Sequence, residues 1–168
     1  MNMLKLAGCA AAVLALAAPV QAQDTAAAAF KNAQGQAIGT ARLTAAPKGV
    51  LLRIEVKGLT PGWHGLHFHE KADCSKSDFT SAGAHTRHGD AKAIHGLLNP
   101  AANETGDLPN IYVGADGAGM AEVFTGLTTL KALKDADGSS VLIHAKADDH
   151  TSQPIGGAGD RVACAAVR

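Results

Sequence analysis

The chain predicts an all-β domain, an antiparallel sandwich or barrel, on three observations. It shows no long helical periodicity, short apolar segments recur about every ten residues, and Gly, Pro and polar clusters separate them. The segments are TAAAAFKN, QAIGTARLT, GVLLRIEVKG and GLHFHE, then LPNIYVGADG, GMAEVFTG, SSVLIHAKA and RVACAAV. In GVLLRIEVKG the alternation is regular. Leu52, Ile54 and Val56 fall on one face of a strand, and Arg53, Glu55 and Lys57 on the other. The Asp-Gly steps in ADGAG and DADGSS supply turns. Four Phe, one Trp and one Tyr against 19 Gly leave the core to Ala, Val, Leu and Ile.

Two stretches interrupt the strand rhythm. Residues 71–110 contain no convincing strand, and residues 145–160 form a shorter polar loop. Long loops inside a compact domain usually carry function, and both of these hold metal-binding residue types.

At the N-terminus, MNMLK is followed by the apolar run LAGCAAAVLALAAPV and by VQA before Gln23. The apolar run is short for a membrane span, and the pattern is that of a secretory signal. Residues 1–22 are therefore expected to be a leader, residues 23–168 the domain, and the periplasm its destination. LAGC at Leu6–Cys9 also resembles a lipoprotein processing site, which leaves lipidation of Cys9 open. Lys+Arg and Asp+Glu number 15 each. That balance removes the electrostatic case for a nucleic-acid or anionic-membrane partner.

Without the leader, two cysteines remain, Cys74 and Cys164. In an oxidising compartment the default is one disulfide. It closes a loop of about 90 residues, for which the chain-entropy model gives roughly 4–5 kcal/mol.

His67 and His69 are two apart in GLHFHE, so on a strand both imidazoles leave the same face. A rigid imidazole pair begins a site for copper, zinc or iron. His64 has the opposite parity and is read as structural. His144 ends another strand, in SSVLIHAKADD, and is followed by an Asp pair.

Taken in order, the motifs GLTPGWHGLHFHEKADC, SAGAH, HGLLNP, GDLPNIYV, HAKADD and GGAGDRVAC resemble the copper/zinc superoxide dismutases, specifically their exported bacterial branch. The resemblance runs from about Ala26 to Val167. It implies a Greek-key β-sandwich, or flattened barrel, of about eight strands with two long functional loops. It also implies copper ligands at His67, His69, His85 and His144, with His85 bridging copper and zinc, and zinc ligands at His85, His95 and Asp107. Asp148 would orient ligands of both metals, and Cys74 and Cys164 would form the family's disulfide. Arg161 would attract and position superoxide, with Lys146 a lesser contributor to the field. The implied activity is dismutation of superoxide by Cu(II)/Cu(I) cycling, with His85 as proton relay.

One departure stands out. Where the family reads H-x-G-D, this chain reads Glu104-Thr105-Gly106-Asp107. The interval from His85 to His95, TRHGDAKAI, also holds an extra histidine, His88, whereas Asp90 there reads as solvated loop. Three possibilities stay open: Glu104 completes the zinc shell, His88 does, or the zinc site is weak or empty. The alternative function is a non-catalytic copper-binding or copper-transfer domain on the same scaffold, and a structural domain is a third. Such a binding protein would be free to lose Arg161, which is present here. The sequence does not choose between monomer and homodimer, nor does it identify a copper chaperone.

Overall fold

A computed structural model describes residues 23–87, 89 and 92–168. The expected leader at residues 1–22, with Cys9, and the loop residues His88 and Asp90 lie outside the described residues. Nine antiparallel strands follow in order: β1 (Thr25–Lys31), β2 (Ala37–Ala46), β3 (Gly49–Val56), β4 (Gly62–His64), β5 (Leu66–His69), β6 (Ile111–Val113), β7 (Gly119–Thr125), β8 (Ser139–His144) and β9 (Arg161–Val167). All eight predicted segments contain a strand. The ninth arises because GWHGLHFH is divided at Gly65 into β4 and β5.

The spatial order is β4-β6-β7-β3-β2-β1-β9-β8-β5. The two outermost strands, β4 and β5, are thus separated in sequence by one residue. The sheet therefore curls round until its edges nearly meet. Gly65 sits at that seam, donating to the Lys146 carbonyl (2.8 Å) and accepting from the His144 amide (2.9 Å). Near-closure hides edges that would otherwise be open to strand addition.

The interior follows from period-2 alternation. On β3, Val50, Leu52, Ile54 and Val56 are buried while Leu51, Arg53 and Glu55 are exposed. Across the barrel they meet Phe30, Leu43, Leu66, Phe68, Val141 and Ile143. Each such side chain removed from water contributes about 1.5–3 kcal/mol.

Strands β5 and β8 break the alternation, since every residue in them is buried. Leu66, Phe68, Val141 and Ile143 fill the barrel interior. Their neighbours His67, His69, Ser140, Leu142 and His144 point outward, where the long loops cover them. Leu142 packs there with Phe79, Ala82 and Cys164 in a second cluster. The predicted loops are loops: the described part of 71–110 has only a 3-10 turn, Thr80–Ala82, and three isolated bridges, His67↔Asp107, His69↔His85 and Arg87↔Glu104. The Cys74–Cys164 disulfide ties the first loop to β9, with its Cα atoms 5.8 Å apart. Among the described residues no helix is long and apolar enough to cross a membrane.

Candidate metal centre

The covered outer face of β5 and β8 gathers two overlapping sets of donor atoms. One is His67, His69, His85 and His144, and the other is His67, His85, His95 and Asp107; within each set the donor atoms lie within 4.8 Å of one another. The pairing of β5 with β8 puts His67 opposite Leu142 and His69 opposite Ser140, so His144 joins the two imidazoles on the same face. His85 comes from the loop, held by its bridge to His69.

Each histidine of the first set has one ring nitrogen held by the protein and one left without a protein partner. His69 Nδ1 donates to the Gly83 carbonyl (2.9 Å) and His144 Nδ1 to the Gly159 carbonyl (2.9 Å). His67 Nε2 faces Asp148 Oδ2 (2.8 Å), and His85 Nδ1 faces Glu104 Oε2 (2.7 Å). The remaining nitrogens, His67 Nδ1, His69 Nε2, His85 Nε2 and His144 Nε2, are buried and unpartnered. Buried polar atoms are rarely left so. Four that converge after the opposite nitrogen has fixed each ring fit a soft or borderline metal ion bound by imidazole.

Burial also sets the protonation state. It holds His67 down at about 3 even though the Asp148 hydrogen bond opposes the shift. His144 is lowered to about 4, burial outweighing the Gly159 carbonyl, and burial takes His69 well below its ordinary value. At neutral pH these rings are uncharged, and their free nitrogens present lone pairs.

In the second set the balance reverses. Burial again opposes charge, but Asp107, Asp148 and Glu104 together override it and lift His95 to about 11. His85 is raised for the same reason by Asp107 and Glu104. Asp107 and Asp148 stay below the ordinary carboxylate range: burial works against them, and hydrogen bonds from His85 and His95 in the first case, and from His67 and His95 in the second, prevail.

Asp148 links the sets. Its Oδ2 accepts from His67, and its Oδ1 faces His95 Nε2 (3.1 Å) and accepts from the His150 amide (2.6 Å). Gly156, at φ +60°, lies so close that any Cβ would strike the Asp148 carboxylate.

Arg161 begins β9 beside this face, paired with His144. Its Nη1 donates to the Phe79 carbonyl and its Nη2 to the Gly83 carbonyl, both at 2.6 Å. The Gly83 oxygen thus serves both His69 and Arg161. An open depression runs from here to solvent, lined by Asp78, Thr80, His144, Ile155, Asp160 and Arg161.

These geometries accompany a match over residues 37–167 to the family model described as Copper/zinc superoxide dismutase (SODC). The chain belongs to the copper/zinc superoxide dismutase family. It is similar to Superoxide dismutase [Cu-Zn] of Caulobacter vibrioides, 56% identical over 150 residues that cover 86% of each chain. It is also similar to Superoxide dismutase [Cu-Zn] 2 of Aquifex aeolicus, 38% identical over 173 residues covering 99% of this chain and 100% of the relative. Among solved structures, a double mutant of a SOD-like protein from Bacillus subtilis superposes with TM-score 0.75 at 34% identity, covering 83% of this chain and 95% of the other.

Set against this superoxide dismutase family, the predicted site residues His67, His69, His85, His95, Asp107, His144 and Asp148 all come together, with Arg161 at the rim. Glu104 is buried among them, whereas His88 lies outside the described residues. His64 stays apart, its two ring nitrogens against the His144 and Thr60 carbonyls (2.7 and 2.8 Å), in keeping with a structural role.

Sequence reasoning missed two supports. Asn110 clasps the Asp148 backbone, its Nδ2 donating to the Asp148 carbonyl and its Oδ1 accepting from the Asp148 amide, both at 2.8 Å. Gln153 does the same for His95, accepting from its amide (2.9 Å) and donating to its carbonyl (2.8 Å). Asn110 lies inside the motif GDLPNIYV, a signal that was available. Gln153 carried none.

Proposed function

We propose that the chain is an exported superoxide dismutase, in which His67, His69, His85 and His144 hold copper and His85, His95 and Asp107 hold zinc. Four unpartnered buried imidazole nitrogens converging beside a cationic rim carry the reading. Copper bound there would supply a one-electron Cu(II)/Cu(I) couple suited to converting two superoxides and two protons into O2 and hydrogen peroxide.

The protein's own groups divide the remaining tasks. Arg161 provides a permanently charged, fork-shaped donor for a small anion at the rim. Its two carbonyl contacts orient the guanidinium beside His144 and leave its other N–H groups for the substrate. His85 faces the histidine set with Nε2 and the acidic set with Nδ1, so it would be the ring shared by the two metals. Its Nε2 would carry a proton only while released from copper, giving it up to the reduced product. Asp148 holds His67 and His95 in fixed orientations, limiting rearrangement during turnover. The depression beside Arg161 opens the face of the site to solvent.

Copper-loaded protein is expected to dismutate superoxide, and Arg161→Ala to lower kcat/KM roughly tenfold or more at unchanged copper content. No activity at full copper occupancy would favour a copper-binding domain instead. Residues 1–22 are read as a cleaved leader for export to the periplasm. An intrachain disulfide suits that oxidising compartment. The mass of the protein recovered from the periplasm should correspond to a chain starting at Gln23; retention of residues 1–22 would count against export by cleavage.

A further inference from the structure

The acidic side of the centre contains one more donor than the zinc set named above. Glu104 is buried, its side chain 5% exposed, and Asp107, His85 and His95 beside it are 1%, 2% and 0% exposed. Glu104 Oε2 lies 2.7 Å from His85 Nδ1 and 3.1 Å from His95 Nδ1. Asp107 Oδ1 lies 3.4 Å and 2.8 Å from the same two nitrogens. We infer that Glu104 is a zinc ligand, giving a shell of two imidazoles and two carboxylates: His85, His95, Glu104 and Asp107. This rests on the reading of the chain as a metal-loaded superoxide dismutase and concerns a position where the family pattern has histidine.

Hydrogen-bond accounting supports it. A neutral imidazole has a single N–H. His95 Nε2 faces Asp148 Oδ1 at 3.1 Å, and a proton on that nitrogen leaves His95 Nδ1 as a bare lone pair. Two carboxylate oxygens close on that nitrogen, so the place between them is filled either by a second proton on His95 or by a cation, and a divalent ion would replace the proton. His85 differs, since its Nε2 has no protein partner: its single proton can sit on Nδ1 against Glu104, and a metal ion there would take that proton's place.

Charge and size agree. Two buried carboxylates leave two negative charges that a divalent ion neutralises, where an unpaired buried charge is costly. The four nitrogen–oxygen separations run from 2.7 to 3.4 Å. A tetrahedral ion with ligands at about 2.0 Å has edges of about 3.3 Å. Four mixed nitrogen and oxygen donors suit zinc, whereas calcium would take six to eight oxygens.

Backbone pairing delivers the side chain. Residues 104–106 run beside 86–87, with Arg87 bridged to Glu104 and the Thr105 and Gly106 amides donating to the Thr86 carbonyl (2.8 and 3.1 Å). Glu104 therefore reaches the site from a braced segment.

The test is zinc-edge X-ray absorption, which counts coordinated imidazoles from their outer-ring scattering, combined with chelator competition for zinc. Both are applied to copper-loaded wild type, Glu104→Gln, Glu104→His and His88→Ala. Wild type should show two imidazoles at zinc. Glu104→Gln should lose more zinc affinity than the roughly 10–100-fold typical of an outer partner. Glu104→His should retain zinc with three imidazoles, which also controls for folding, and His88→Ala should match wild type. Three imidazoles in wild type falling to two in His88→Ala would overturn the proposal, as would a loss of no more than about 100-fold in Glu104→Gln or the absence of bound zinc in wild type. Dismutation is read on the same samples, so an inactive protein at full metal occupancy counts against the functional reading and not against this shell.

Discussion

His144 and Arg161 face each other across the β8–β9 pairing and do different work. His144 contributes a nitrogen to the all-histidine set and none to the acidic set. His144→Ala should therefore cost at least tenfold in copper affinity by chelator competition, with zinc content unchanged. Equal loss of both metals would show that the substitution disturbs the whole site. Arg161 is more than a charge, because it spans the Phe79 and Gly83 carbonyls. Lysine keeps the charge but offers only one ammonium to two diverging acceptors. Arg161→Lys should give kcat/KM between wild type and Arg161→Ala.

At the scale of elements, the seam between β4 and β5 sets the position of the imidazoles of the all-histidine set. A Cβ on Gly65 would sit 2.8 Å from Ala158 Cβ and 3.4 Å from both Asp148 Cβ and His67 Cε1. Gly65→Ala should therefore push the 145–160 loop away from β5. The expected cost is about 1–3 kcal/mol of stability, as for overpacking, with weakened copper binding. Unfolding midpoints and copper titration would check both. The disulfide acts on the other loop, fixing residues 74–83 to β9. Reducing it should lower stability by roughly 4–5 kcal/mol in urea unfolding. It should also slow turnover, because the carbonyls that orient Arg161 and His69 lie on that segment.

For the whole molecule, the two halves of the centre give the metal-free protein opposing pH dependences. His67 and His144 fall from 6.5 to about 3 and about 4 on folding. Their contribution is complete above 6.5 and is lost as pH falls from there towards 3, since the unfolded chain binds those protons more readily. His95 rises from 6.5 to about 11, so its contribution is complete below 6.5 and is lost as pH rises through 11. The metal-free protein should be most stable near neutrality, with urea midpoints declining on both sides. A midpoint that climbed steadily into acid would contradict neutral copper-side imidazoles. Bound metals should broaden the plateau by adding binding free energy to the native state alone.

The alternating strands, the two interrupting loops, the exposed and buried faces of β3 and the paired projection of His67 and His69 were legible in the sequence, because each depends on local period or turn chemistry. The ordered motifs also named the residues that converge, and the structure brings together those it describes. What only the tertiary structure decided is how they are aimed. The ring nitrogen that His69 and His144 turn inward depends on the Gly83 and Gly159 carbonyls, and backbone carbonyls are chemically alike at every position. Asp148 reaches His67 across 81 residues, and Glu104 reaches His85 across 19. Whether Glu104 meets a metal or water was undecidable from ETGD alone; it became a matter of geometry once the 85–87 and 104–107 segments were paired.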